Sequence, residues 1–160
     1  MNFNPYIYSQ NLIQKAETET FKKIDSFDVM KNAAEACFNF IVDTISSQKI
    51  LVICGPGNNG GDGILIAKYL NDKKKDVSLY APLGIAKTND SKKALKLLNS
   101  STFIKQNVNF NDYDIVIDSI FGTGLNRPIT KKLHSFFHDL NNARSSVISI
   151  DIPSGVHCDT

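Results

Sequence analysis

The chain has 160 residues, of which 42% are hydrophobic and 21% are charged. A chain of this length buries roughly 70% of the surface that its unfolded form exposes, which is enough for one domain with its own core. Lysine and arginine together number 18 and aspartate and glutamate 16, and this net charge of +2 excludes a generally basic nucleic-acid or membrane binder.

The sequence shows no signal for membrane insertion or export. No apolar run approaches the ~20 residues that span a bilayer, and the N-terminus lacks a basic region followed by an apolar stretch. We therefore expect a cytoplasmic protein with no membrane partner. Cys37, Cys54 and Cys158 lack a C-x-x-C spacing, so we expect structural thiols rather than a disulfide framework or a zinc site.

Two helices are predicted before the first strand. Asp25 or Ser26 can cap a helix whose apolar residues recur every three or four positions from Phe27 to Ile45. The segment 10–23 carries a weaker apolar stripe. We expect it to form a helix outside the main body or part of a partner surface.

From Lys49 onward, strands alternate with helices. The run Ile50–Cys54 is continuously apolar and rich in β-branched residues, which is typical of a strand buried on both faces. Strands are predicted at 50–54, 77–80, 103–104, 115–118 and 147–151, and helices at 64–71, 91–99 and 133–140. This alternation predicts an α/β fold with right-handed crossovers and a mainly parallel sheet.

Ligands of such sheets bind beyond the carboxyl ends of the strands, where three loops are predicted at 55–63, 119–128 and 152–157. The first loop, GPGNNGGDG, contains the spacing G-x-G-x-x-G of dinucleotide-binding folds. The next strand, however, ends in Ala81 and Pro82, without the acid that holds a ribose hydroxyl. Asn58, Asn59 and Asp62 add polar side chains suited to hydroxyls, phosphates or a cation.

The second and third loops, DSIFGTGLNRP and DIPSG, each begin with an acid at the end of an apolar strand. Asp118 and Asp151 are expensive to bury unless something pairs with them, and Ser154 adds an oxygen. Together they indicate an oxygen-lined cation and ligand site, and Arg127 supplies a donor fork suited to phosphate. The alternative reading of all three loops is a set of tight turns with capping residues.

The histidines are weaker candidates. His134 and His138 lie four residues apart on a predicted helix, but no third metal ligand is evident, so we interpret them as a solvated pair. His157 follows the third loop and is a possible ligand contact. No internal repeat, low-complexity tract or domain linker interrupts the chain.

Taken together, GPGNNGGDG, DSIFGTGL and DIPSG in this order and spacing resemble the YjeF N-terminal-domain family, the NAD(P)H-hydrate epimerases. The resemblance implies a Rossmann-like three-layer αβα sandwich with N-terminal helices, and a homodimer. It further implies interconversion of the R and S epimers of hydrated NADH and NADPH, alongside an ADP- or ATP-dependent dehydratase that is fused in many bacterial members. We expect a single domain over residues 1–160, truncated at its C-terminal end relative to the family.

The resemblance also implies a set of site residues. One K⁺ ion per subunit would lie at Asn59, Asp118 and Ser154. The hydrated nucleotide would contact Asn58, Asn59, Gly60, Gly61, Asp62, Gly122, Thr123, Gly124, Leu125, Asn126, Arg127, Pro128 and Asp151. Asp151 is our candidate for the catalytic acid and base. The chain departs from the family at Leu83, where members often carry a lysine, and Lys87 is the nearest substitute.

Two other functions compete with the epimerase. A non-catalytic scaffold of the same fold has no need of Asn59, Asp62, Asp118 and Asp151, all of which are present. A nicotinamide-dependent oxidoreductase is disfavoured by the missing ribose acid and by the lack of a second, substrate-binding domain.

Overall fold

A computed structural model of the chain describes residues 8–46, 49–98, 103–125 and 128–157. The helices are α1 (Gln10–Phe21), α2 (Ser26–Thr44), α3 (Asn58–Asp72), α4 (Asn89–Lys96) and α5 (Lys131–Asn141). The strands are β1 (Lys49–Cys54), β2 (Asp76–Tyr80), β3 (Phe103–Lys105), β4 (Ile115–Ser119) and β5 (Ser146–Ser149), and a short 3₁₀ helix spans Phe110–Asp112. Within these ranges, none of the helices has the length and apolar character required to traverse a bilayer.

The five strands form one parallel sheet in the order β3-β2-β1-β4-β5. The predicted α/β fold and the parallel sheet are therefore confirmed. β1 lies in the centre with β2 on one side and β4 on the other, so the segments that follow these strands meet at one edge.

Alternate residues of the central strands supply two cores, one on each face of the sheet. Ile50 and Val52 pack with α2, α3 and α4, whereas Leu51 and Ile53 pack with α5 and the 3₁₀ helix. Because each face is covered by helices, the central strands are buried throughout and the predicted three-layer arrangement is confirmed.

The N-terminal helices differ in how they attach to this body. α2 buries Met30, Ala34, Phe38 and Ile41, and the Asp25 side chain caps it by accepting a hydrogen bond of 2.9 Å from the Phe27 amide. α1 buries no residue. The prediction of a helix outside the main body is confirmed, and Leu12, Ile13 and Phe21 remain exposed on it.

Two predicted boundaries are wrong. The segment 55–63 was expected to be a loop, but α3 begins at Asn58, so only Gly55, Pro56 and Gly57 form the turn. The last strand was expected to include Asp151, but β5 ends at Ser149. Asp151 lies in the following turn with φ +70°, a left-handed conformation that aspartate tolerates better than most residues.

Candidate functional site

Hydrogen bonds join the three predicted loops at the carboxyl edge of the sheet. The Gly55 amide donates to the Ser119 carbonyl at 3.0 Å, and the Ile150 amide donates to the Asp118 carbonyl at 2.8 Å. These contacts extend the β1–β4 and β4–β5 pairings beyond the strands. The loops from distant parts of the sequence therefore form one surface.

The glycines of the first motif allow α3 to pack closely against this edge. A Cβ atom on Gly60 would overlap the carbonyl oxygen of Gly55 and lie 2.6 Å from its carbon. A Cβ atom on Gly63 would overlap Ser119 Oγ, and one on Gly61 would lie 2.9 Å from Met30 Sδ. These glycines are thus required by the approach of the helix to its neighbours, and the polar residues of the first five positions of α3 are Asn58, Asn59 and Asp62.

Asp118 and Ser154 form a compact polar pair between the second and third loops. Ser154 donates to Asp118 twice, from Oγ to Oδ1 at 2.7 Å and from the backbone amide to Oδ2 at 3.0 Å. The Ile120 amide donates to Oδ1 at 3.2 Å, and Ser154 Oγ accepts from the Phe121 amide at 2.9 Å. Asp118 is only 4% exposed, and in the described part of the chain no basic side chain forms an ion pair with it.

The Asn59 amide is buried without a partner. Neither Oδ1 nor Nδ2 is exposed to solvent, and neither finds a hydrogen bond among the residues that the structure describes. A buried amide that lacks hydrogen bonds costs about 1–3 kcal/mol of stability. A ligand that supplies a polar partner to this amide would remove that cost. Asn59, Asp118 and Ser154 offer an amide, a carboxylate and a hydroxyl oxygen, the donor types that hard cations prefer.

Asn59 and Asp151 both lie against Gly122. A Cβ atom built on Gly122 would overlap Asp151 Oδ2 and lie 3.4 Å from Asn59 Cγ. The same Oδ2 atom accepts a hydrogen bond of 2.7 Å from the Thr123 amide. An exposed carboxylate and a buried, unpartnered amide therefore lie against one glycine, and the carboxylate is open to a substrate.

Asp62 carries a strongly perturbed carboxyl group. Burial, together with the nearby carboxylates of Asp151 and Glu17, raises its pKa to about 7, and burial is the largest cause. Glu17 belongs to α1, and Gln10 at the start of that helix donates to the Thr123 carbonyl. α1 thus adds Glu17 to the site, a residue that sequence reasoning missed because it is one of several polar residues on a weakly amphipathic helix.

We predict that Asp62→Asn stabilises the protein more at pH 8 than at pH 5. Because the folded-state pKa lies above the ordinary value of 3.8, the folded state retains a proton that the unfolded state releases, and stability falls as the pH rises through that window. Asparagine does not ionise and therefore avoids the cost of burying a charge. We expect the free energy of unfolding to rise by about 2 kcal/mol at pH 8. Urea unfolding without potassium measures the gain, with the exposed Asp139→Asn as control. An equal gain at both pH values would contradict the prediction.

The remaining predicted residues lie at or near this edge, or outside the described ranges. Thr123, Gly124, Leu125 and Pro128 lie on the second loop, whereas Asn126, Arg127 and Cys158 lie outside the described residues. Leu83 is half-buried and packs against the core on the side of the sheet that α5 covers. The Lys87 amide donates to the Pro56 carbonyl at 2.8 Å.

The histidines and cysteines do not form a metal site in the described part of the chain. His134, His138 and His157 are exposed, and no cluster of three or more histidine, cysteine or acidic residues suited to a metal occurs there. Cys37 and Cys54 are free thiols.

Comparison with solved structures supports the fold. The crystal structure of yeast ynu0 superposes with a TM-score of 0.76 over 94% of this chain and 71% of that chain, at 21% sequence identity. At that identity the likeness concerns the fold alone.

Comparison with curated proteins finds relatives of two kinds. An NAD(P)H-hydrate epimerase of Levilactobacillus brevis is 34% identical over 86% of this chain and 66% of its own length. An NAD(P)H-hydrate epimerase of Dictyostelium discoideum is 37% identical over 79% of this chain and 57% of its own length. A bifunctional NAD(P)H-hydrate repair enzyme Nnr of Dictyoglomus turgidum is 38% identical over 82% of this chain. The chain spans 27% of that enzyme's length.

The family model described as "YjeF-related protein N-terminus" matches residues 26–160, which include all three motifs of the carboxyl edge. The chain belongs to this family of YjeF-related N-terminal domains.

Proposed function

We propose that the protein is an NAD(P)H-hydrate epimerase, an isomerase that interconverts the R and S epimers of hydrated NADH and NADPH. The observation that carries the proposal is the convergence of the Asp151 carboxylate and the unpartnered Asn59 amide on Gly122. Relatives named NAD(P)H-hydrate epimerase, at 32–37% identity, support the same assignment.

Inversion of the hydroxylated carbon beside the ring nitrogen needs an acid and a base but no redox partner. In our mechanism, protonated Asp151 gives its proton to the departing hydroxyl group, which leaves as water. The nitrogen lone pair supports the resulting cation. Water then adds to the opposite face and returns a proton to the Asp151 carboxylate, which restores the starting state.

The surroundings of Asp151 suit this exchange of a proton. The Thr123 amide holds Oδ2, which leaves Oδ1 for the substrate. Asp62, with its pKa raised to about 7, is substantially protonated near neutral pH, so its carboxyl group can donate a hydrogen bond to the substrate. We therefore assign Asp62 to substrate binding and Asp151 to proton transfer.

We propose K⁺ as the cofactor, one ion per subunit, held by Asn59, Asp118 and Ser154. The fit rests on the unpartnered Asn59 amide and on a buried Asp118 carboxylate that has hydrogen bonds but no ion pair within the described ranges. The ion would offset the charge of Asp118 and orient the three loops. The protein's own residues carry the proton transfer.

We predict that Asn59→Ala weakens potassium binding first and substrate binding second. Loss of one oxygen donor is expected to lower the apparent potassium affinity on the order of tenfold, because no other side chain replaces it. Thermal unfolding in potassium against choline chloride measures the effect, with the exposed Asn141→Ala as control. Equal stabilisation of Asn59→Ala and the parent protein by potassium would count against the assignment.

Gly122→Ala is expected to lower activity about 100-fold while the fold remains intact. The new methyl group overlaps Asp151 Oδ2 and moves the catalytic carboxylate, and a misplacement of about 1 Å can cost two orders of magnitude. Gly124→Ala is the matched control, since its Cβ atom meets nothing within 4 Å. Epimerisation rates of the two variants at saturating substrate test the difference, and equal rates would show that Gly122 does not set the Asp151 position.

The direct test of the function starts from one purified epimer. The protein is incubated with (R)-NADH-hydrate, and the appearance of the S epimer is followed by chromatography against a buffer blank. We expect equilibration many times faster than in the blank, and faster in potassium than in choline. A rate equal to the blank would overturn the proposal.

The proposed partners follow from the same assignment. Relatives named bifunctional repair enzymes, of which this chain spans 27–29%, support a linked second activity, and we assign an ADP- or ATP-dependent dehydratase as that partner. We further propose a cytoplasmic homodimer, and light scattering tests the dimer.

The second candidate is a non-catalytic scaffold of the same fold. It is favoured by the apolar groove of about 430 Å³ that Tyr8, Leu12, Ile13, Phe21 and Val29 line beside α1, which is suited to a protein contact. A scaffold does not account for the unpartnered Asn59 amide. Potassium-dependent thermal stabilisation distinguishes the two candidates, because only the enzyme requires it.

A further inference from the structure

A second cavity lies where three helices begin. Its volume is about 580 Å³, and its walls include Ser26 of α2, Asn58 of α3 and Thr88 at the start of α4. The rest of the lining comes from α4, namely Asn89, Asp90, Lys92, Lys93 and Lys96. This cavity is lined by polar and charged residues and is separate from the apolar groove beside α1.

The positive charge of the cavity is only partly neutralised. Asp90 pairs with Lys93 at 3.0 Å and accepts a hydrogen bond of 2.5 Å from Ser26 Oγ, so this acid is already engaged. Lys92 and Lys96 are exposed and form no ion pair within the described ranges. Like charges four residues apart on a helix repel each other slightly, and an anion between them would relieve that repulsion.

The helix ends add to this positive potential. The N-terminus of a helix carries about half a positive charge and unsatisfied amides, which favour anions. Thr88 caps α4 with its side chain, whereas Gly57 at the start of α3 provides no side-chain cap. The first amides of α3 are therefore available beside Asn58, at the cavity wall.

The cavity adjoins the proposed active site through the first turn of α3. Asn58 lines the cavity, and its neighbour Asn59 lies with Asp151 against Gly122. β2 pairs with β1, so α4, which follows β2, begins beside α3. In dinucleotide-binding folds this position holds the adenosine ribose, where an acid selects a hydroxyl and a basic group accommodates a 2′-phosphate. Here Ala81 and Pro82 stand in place of the acid, and the lysines of the cavity lie on α4, the helix that follows β2.

We propose that this cavity binds the 2′-phosphate on the adenosine ribose of the hydrated nucleotide, so that the protein prefers NADPH-hydrate over NADH-hydrate. The inference rests on the proposed function for its substrate. Lys92 and Lys96 are the residues that determine this specificity, and the amides at the start of α3 support them.

Binding of unreactive nucleotide fragments tests the proposal independently of catalysis. Calorimetry of the intact protein compares ADP-ribose with its 2′-phosphorylated form at low ionic strength. We expect the phosphorylated ligand to bind on the order of tenfold more tightly, with the difference shrinking as salt screens the lysines. Equal affinities in the parent protein would overturn the proposal.

The double variant Lys92→Ala/Lys96→Ala is expected to bring the ratio of the two affinities close to one. The matched control is Lys73→Ala/Lys75→Ala, which removes the same charge after the C-terminal end of α3 and should keep the ratio. An unchanged ratio in the first variant would contradict the assignment. An equal loss of affinity for both ligands would also overturn it, because the cavity would then bind the shared diphosphate.

Epimerisation assays on the parent protein, made beside the binding measurements, separate this inference from the proposed function. If the protein binds the phosphorylated fragment more tightly but does not epimerise either hydrate, the cavity assignment stands and the enzyme assignment fails. If it epimerises both hydrates with the same kcat/KM and shows no binding preference, the enzyme assignment stands and the cavity assignment fails.

Discussion

Replacing Asp151 with asparagine is expected to slow epimerisation by about 100- to 10,000-fold, the usual contribution of a general acid–base group. The substitution preserves the shape of the side chain and an oxygen that can accept from the Thr123 amide. Asparagine also tolerates the left-handed backbone conformation at φ +70°, so no new strain is introduced. Only the ability to donate and accept the proton is lost. Turnover of a single purified epimer measures the loss.

The control for this variant is Asp139→Asn, an exposed acid on α5. Both variants should unfold at the same urea concentration as the parent protein, since neither change removes buried contacts. Near-parental turnover by Asp151→Asn would show that the acid has been assigned to the wrong residue, and Asp62 would then become the candidate.

Gly60→Ala is expected to destabilise the fold by about 3 kcal/mol or more, a large effect for the addition of one methyl group. The new Cβ atom would overlap the carbonyl oxygen of Gly55 and lie 2.9 Å from the backbone nitrogen of Gly55. These are backbone atoms at the end of β1, and they can move only if α3 withdraws from the sheet edge. Urea unfolding of the variant measures the loss.

Gly57→Ala is the matched control, because its Cβ atom would meet nothing within 4 Å and the backbone there is extended. We expect a change of no more than about 0.5 kcal/mol. A similar loss in both variants would show that the motif is sensitive to any side chain rather than to close packing of α3.

The sheet, and the edge at which the candidate site lies, were predictable because strands that are buried on both faces have apolar, β-branched sequences. The apolar, β-branched runs of β1 and β4 mark strands covered on both faces, and the helices between them require parallel pairing. Once the strands are parallel, Asn59, Asp118 and Ser154 all lie at the same edge of the sheet, and Ser154 donates hydrogen bonds to Asp118 there.

Other features of the site depend on packing that no local pattern records. The glycines of the first motif predicted a loop, but they allow a helix to lie against Gly55 and Ser119. The charge of Glu17 acts on Asp62 only because α1, which is bound to the second loop through Gln10, lies near the site. The predicted potassium ion, the nucleotide contacts and the catalytic role of Asp151 remain predictions.

The most direct test of the epimerase uses a mixture of the two NADH-hydrate epimers and a dehydratase that consumes only the S form. Without this protein, the S epimer should disappear quickly and the R epimer only slowly. We predict that adding the protein makes consumption of the R epimer fast and complete. Persistence of the slow phase, with a correctly folded protein and potassium present, would contradict the epimerase assignment.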